Sequence, residues 1–163
     1  MAQPQLIAFD FDGVICDGLI EYFQTAWQAY CKLFQPDSDQ SPEGLAERFY
    51  PLRPVIETGW EMPVLVAALM EGIKDSHLDE KVIAEWPEMA LPYLAAANLT
   101  KQQSVQTLDG VRDQWIKSDL QSWLALHRFY PGMIDRVGAL LKGDLPIYIV
   151  STKEGRFIKA LLA

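Results

Sequence analysis

The chain has 163 residues, half of them hydrophobic, and a formal net charge of -8. That composition excludes a disordered chain, and an acidic balance with no dense basic cluster argues against a nucleic-acid partner. The length suits one ordinary domain, or one domain with a smaller one inserted in it.

The opening residues, Met1 to Gln5, carry no basic lead, and the apolar run behind them is short and ends in acids, unlike a secretory signal. Leu6 to Phe9 is apolar at every position, which predicts a parallel strand covered on both faces. It runs into Asp10-Phe11-Asp12-Gly13, with two carboxylates at the carboxyl end of the strand, where such sheets hold ligands. In extended geometry Asp10 and Asp12 point the same way. Crowded carboxylates repel, so the arrangement calls for either a divalent cation or a division of labour in protonation. Asp12-Gly13 alone also reads as a turn, but that leaves Asp10, directly after four apolar residues, without a reason.

From Asp17, which reads as an N-cap, the pattern turns helical. Leu19, Phe23, Ala26, Trp27, Tyr30 and Phe34 recur at spacings of three and four until Pro36. Ser41-Pro42-Glu43 opens a short helix through Phe49, and Tyr50-Pro51-Leu52-Arg53-Pro54 predicts a loop. Pro63 to Met70 is apolar all round and predicts a buried helix. Another helix follows from His77 to Trp86, with Ser76 and Asp79 as its capping pair. Pro87 and Pro92 are expected to break the chain. Thr100 with Gln103 then forms a capping box opening the longest helix, to about His127. The longest apolar segment, Val64 to Met70, falls far short of the roughly 20 residues that span a bilayer, so no membrane partner and a cytoplasmic location are expected. Cys16 and Cys31 have neither metal-ligand nor redox spacing, and the acids near Cys16 make it a poor nucleophile.

After Tyr130 the style reverts. Pro131-Gly132 begins a helix ending at Lys142-Gly143, and Pro146 to Val150 is a second apolar strand ending in Ser151-Thr152-Lys153. Strand, helical insertion, helix and strand predict an α/β protein. Residues 1–16 and 130–163 would form a parallel-sheet core, and residues 17–129 an α-helical cap inserted between its first and second strands. All five tryptophans would lie in the cap. Ser151 with Glu154 also reads as a capping box for a last helix, a role compatible with anion binding. Lys153, a cation in that helix's first turn, hints at a nearby anion.

Asp10-Phe11-Asp12-Gly13-Val14-Ile15, followed by Asp17, resembles the first motif of the haloacid dehalogenase-like superfamily, in its phosphoglycolate phosphatase-like branch. The resemblance implies a Rossmann-like core and a phosphatase acting on a small phosphorylated metabolite. Asp10 would be the nucleophile that becomes an aspartyl phosphate, and Asp12 the general acid and base. It implies Mg2+ as cofactor, with Asp10 and Asp12 as metal ligands. Phosphate binding would fall to Ser151 at the end of the second strand, with Thr152 and Lys153 beside it. Phe129-Tyr130-Pro131-Gly132-Met133 resembles the family's return from cap to core. The family's third-motif lysine and fourth-motif acids have no counterpart before the chain stops in mid-stripe at Lys159 to Ala163, so the expected core is incomplete.

The same residues fit a phosphomutase, and the scaffold also suits a non-catalytic binding or regulatory protein. Keeping two crowded carboxylates favours the enzyme. Arg48, Arg53 and Lys74 are candidate anion contacts in the cap, weighed against a reading as solvated surface charge.

Overall fold

The computed structural model describes residues 4–72, 75 and 77–163. Two compact units emerge. One comprises Met1–Gly18 with Gln121–Ala163, and the other comprises Leu19–Leu120.

The strand-bearing unit contains β1 (Ile7–Phe9), β2 (Cys16–Asp17), β3 (Arg128–Phe129) and β4 (Ile147–Ile149). Apolar β1 and β4 pair in parallel, Ile7 opposite Ile147 and Phe9 opposite Ile149. Hydrogen bonds from Ile7 N to the Pro146 carbonyl and from Val150 N to the Phe9 carbonyl extend the ladder at either end. β2 and β3 form a separate antiparallel pair, Cys16 opposite Phe129. Between β1 and β2 the chain turns tightly: the Phe11 carbonyl accepts from the N–H groups of Ile15 and Cys16, and Gly13 sits at φ 79, a backbone setting that favours glycine. Phe11, Ile15 and Cys16 form this unit's core beneath Met133, Val137, Ile158 and Leu161. Those four come from α7 (Met133–Leu140) and α8 (Gly155–Leu162).

The α/β expectation is corrected here. The protein is mostly helical, and the predicted Rossmann-like parallel-sheet core does not form. Among the described residues one parallel pair of strands forms, and two three-residue strands cannot bury both faces of a sheet. Along one face Leu6, Tyr148 and Val150 remain 52%, 55% and 66% exposed. The runs Leu6–Phe9 and Pro146–Val150 contain β1 and β4, and among the described residues between them strand structure is confined to the two-residue pair and an isolated bridge from Asp12 to Cys16.

The helical unit is built around α3 (Glu61–Glu71), buried at every position from Glu61 to Leu69. It packs against α1 (Leu19–Phe34), α2 (Leu45–Leu52), α4 (Leu78–Ala96) and α5 (Lys101–Ser118). Glu61 is buried and hydrogen-bonded. Its Oε2 accepts from the backbone N–H groups of Glu57 and Thr58 at 2.8 and 2.7 Å, closing the turn ahead of α3. Ser104 Oγ donates to the Trp60 carbonyl at 2.7 Å, tying α5 to the start of α3.

Several local expectations change. α2 starts at Leu45, after Gly44, and runs through Pro51, and α4 runs unbroken through Pro87 and Pro92. An interior proline leaves the carbonyl four residues earlier without its donor. Here those residues are Glu47, Ile83 and Glu88, all exposed, so water can satisfy them. Meanwhile the opposite stripe of α4, namely Leu78, Val82, Trp86, Ala90 and Leu94, is buried and holds the helix together. α4 ends where Asn98 adopts φ 54 and Leu99 N–H bonds the Leu94 carbonyl. Ser76 and Lys74, expected as a cap and an anion contact, lie outside the described residues. The predicted helix from Thr100 to His127 stops at Ser118, whose hydroxyl donates back to the Trp115 carbonyl. It resumes as α6 (Leu120–Leu124). Trp123 therefore belongs to the strand-bearing unit, packed on Phe157, rather than to the helical block.

Candidate functional site

The parallel pairing of β1 with β4 aligns their carboxyl ends, so the polar residues following each strand emerge side by side. From β1 come Asp10 and Asp12; from β4 come Ser151, Thr152 and Lys153. Lys153 Nζ lies 3.2 Å from Asp12 Oδ1, and their side chains are only 6% and 17% exposed. A lysine that deeply withdrawn from water needs a carboxylate, and residues 141 positions apart supply one another.

The rest of the predicted set divides. Ser151 Oγ accepts from the Lys153 backbone N–H at 3.2 Å, holding the turn that points the lysine inward. The N-cap of α8 is Glu154, and Ser151 forms no capping box with it. Lys153 consequently precedes α8 and is not in its first turn. Asp10 is exposed, with Oδ1 accepting from the Phe11 N–H at 2.6 Å. The strand ends at Phe9, so the simple alternation that would point Asp10 and Asp12 the same way does not extend to them. Asp12 is half-buried and Asp10 faces water. Thr152 is exposed and its hydroxyl has no hydrogen-bond partner among the described residues. The structure therefore brings together Asp12, Lys153 and Ser151, and leaves Asp10 and Thr152 at the open margin.

Cys16 lies under this site, fully buried. Burial pushes its thiol up to about 11. Lys153 pulls the other way, and Asp12 and Asp17 add to the rise. The thiol stays protonated and unreactive at neutral pH. The bridge between Asp12 and Cys16, with Gly13 N–H bonded to the Cys16 carbonyl at 2.9 Å, fixes the backbone that carries Asp12. Sequence reasoning missed this support, and its only local signal was Gly13.

For a magnesium ion the donor type is present, although Asp12 is already met by Lys153 and Asp10 faces water. Asp10 and Asp12 offer hard carboxylate oxygens, and magnesium takes one or two carboxylates while keeping several waters. Among the described residues no cluster of three or more His, Cys, Asp or Glu residues gathers to form a richer cation site.

The candidate anion contacts of the helical unit also separate. Arg48 is engaged, with Nη2 2.6 Å from Asp79 Oδ1, Nε 3.1 Å from the same oxygen, and Nη1 on the Gly72 carbonyl. It ties α2 to α4. Arg53 has no carboxylate among the described residues.

No protein-family model matches the chain, and no curated protein or solved structure matches it. No helix among the described residues is long and apolar enough to cross a membrane.

Proposed function

We propose that the ends of β1 and β4 form a phosphoryl-transfer site, and that the protein is a magnesium-dependent phosphatase acting on a small phosphate monoester. The observation that carries this reading is the withdrawn Lys153–Asp12 pair, which joins the polar ends of two parallel strands into one cationic and acidic site. The resemblance of Asp10-Phe11-Asp12-Gly13 to the first haloacid dehalogenase-like motif supports the same chemistry.

In this reading a carboxylate oxygen of Asp10, exposed and within reach of a ligand, attacks phosphorus while the ester P–O bond breaks. Asp12 delivers a proton to the leaving oxygen, and the phosphoryl group rests on Asp10 as an aspartyl phosphate. Asp12 then takes a proton from water, which hydrolyses that acyl phosphate and returns Asp10. The Lys153 ammonium and the Ser151 hydroxyl balance charge on the phosphoryl oxygens. A magnesium ion held by Asp10 and Asp12 would supply further charge neutralisation there. A phosphomutase would use the same residues.

The Lys153–Asp12 contact also favours a second reading, a non-catalytic binding protein, because Asp12 is already engaged by a lysine at 3.2 Å. Hydrolysis of an aryl phosphate, with and without magnesium, separates the two. Magnesium-dependent turnover that Asp10→Asn abolishes is the expected result, since an amide cannot accept the phosphoryl group. Undiminished turnover in that variant would remove Asp10 as nucleophile, and no turnover in the unaltered chain would favour the binding protein.

A further inference from the structure

The segment joining α1 to α2 folds back along the helix it has just left. α1 ends at Phe34, Gln35 adopts φ 48, and Pro36 keeps the helix from continuing. The Trp27 indole N–H, twelve positions before Asp39, donates to the Asp39 carbonyl at 2.8 Å. That bond pins the segment against α1. Beside it the Ser38 hydroxyl accepts from the Gln40 N–H at 3.1 Å and holds the turn.

This segment, α1 and α2 enclose a cleft of about 360 Å³, a size that suits a small ligand. Phe23, Trp27 and Tyr50 bring three aromatic side chains to its walls, and Gln24 and Gln28 bring two amides. Asp39 carries the only formal charge among the residues that line it. Its carboxylate and both amides have no hydrogen-bond or ion-pair partner among the described residues. Asp39 and Gln28 are exposed and Tyr50 is half-buried, so the cleft is reached from solvent.

An exposed carboxylate alone is ordinary. Here it is fixed beside aromatic side chains by a bond to its own backbone, which leaves the charged oxygens available. Aromatic rings and carboxylates share a preference for positive charge, the first through the ring quadrupole and the second through Coulomb attraction. An anion would meet Asp39 with no lining cation to offset it, and a wholly apolar ligand would desolvate the carboxylate without replacing its water. A bare divalent ion would find a single carboxylate and mostly aromatic carbon. An alkylated ammonium satisfies both kinds of wall, and the amides can meet polar groups on the rest of the ligand. The chain's net charge of -8 adds a field that favours a cation.

We propose that the cleft lined by Trp27, Tyr50 and Asp39 binds the ammonium group of a small organic cation. The proposal is independent of the phosphatase reading, because none of these residues takes part in that chemistry.

The test is a titration of the full chain with choline and, separately, with its uncharged carbon isostere dimethylbutanol, at constant ionic strength, following the indole N–H signals by NMR. The Trp27 signal is assigned by its loss in Trp27→Phe. Saturable movement of that signal with choline is expected, while those of Trp86 and Trp123, at 1% and 0% exposure, stay still. The isostere should bind about tenfold more weakly, since it keeps the shape and lacks the charge. Asp39→Asn, at an exposed position, should weaken choline binding about threefold, and Tyr50→Leu by a similar factor. Thermal melts establish that both variants are folded. No saturable movement of the Trp27 signal overturns the proposal. Equal affinity for choline and the isostere overturns it too, because the cleft would then be reading shape alone. Unchanged choline affinity in folded Asp39→Asn also overturns it.

Discussion

Lys153 shows how one residue's placement follows from chemistry that is invisible to its neighbours in sequence. Its ammonium is tolerated at 6% exposure because Asp12 meets it, and the Ser151 turn aims it inward. Replacing it in Lys153→Met leaves Asp12 without that partner and is expected to lower stability by about 1 to 3 kcal/mol, measured by urea unfolding. Adding Asp12→Asn to that variant should cost less than the two single changes summed, because both remove one interaction. Cys16 makes a different prediction. Its thiol titrates at 9.0 when unperturbed and near 11 when folded, so the folded state keeps a proton that the unfolded chain has lost. Stability is therefore intact below about pH 9 and falls as pH rises toward 11. Urea midpoints taken across that range should decline, and Cys16→Ala should flatten the slope without removing contributions from Tyr30, Cys31 and other raised groups.

At the scale of elements, local signals succeed when their partners lie within a turn and fail when burial overrules them. The Thr100 box is present as read, with Gln103 N–H on the threonine hydroxyl at 3.2 Å and the glutamine oxygen on Thr100 N–H at 2.9 Å. Thr100→Ala should cost about 1 kcal/mol, checked by thermal melting followed by circular dichroism. Prolines mislead for a physical reason. Pro92 forfeits one backbone hydrogen bond on the solvent side of α4, while Trp86, Ala90 and Leu94 on the other side keep the helix in place. Pro92→Ala should raise stability by about 1 to 3 kcal/mol, since it restores a donor at an exposed helix position. An unchanged urea midpoint would mean that the Glu88 carbonyl is fully compensated by water.

For the molecule as a whole, the division at Gly18 and Leu120 gives the helical unit its own extensive core around α3, whereas the strand-bearing unit buries few large side chains. The excised segment 19–120 is expected to retain its helical circular dichroism and a cooperative melt. A non-cooperative melt would mean that its core depends on the remaining chain. Within the full chain, Trp123 reports on the strand-bearing unit and the other four tryptophans on the helical one. Fluorescence of Trp123→Phe should therefore follow the helical unit alone.

By itself the sequence determined where charge meets strand ends: Asp10 and Asp12 after one apolar run, and Ser151 to Lys153 after the other. It also determined the stripe of α1 and the cap at Thr100. Each of these depends on residues at most a few positions apart, where side-chain periodicity and backbone hydrogen bonding act. Tertiary structure alone decided that Asp12 receives Lys153 while Asp10 stays in water, and that Arg48 finds Asp79 while Arg53 lies against the Tyr22 ring and the Ile56 carbonyl. It also carried α4 through two prolines and limited the parallel sheet to a single pair. These outcomes turn on which distant surfaces are buried together, and burial sets both the cost of a lone charge and the worth of a helix face.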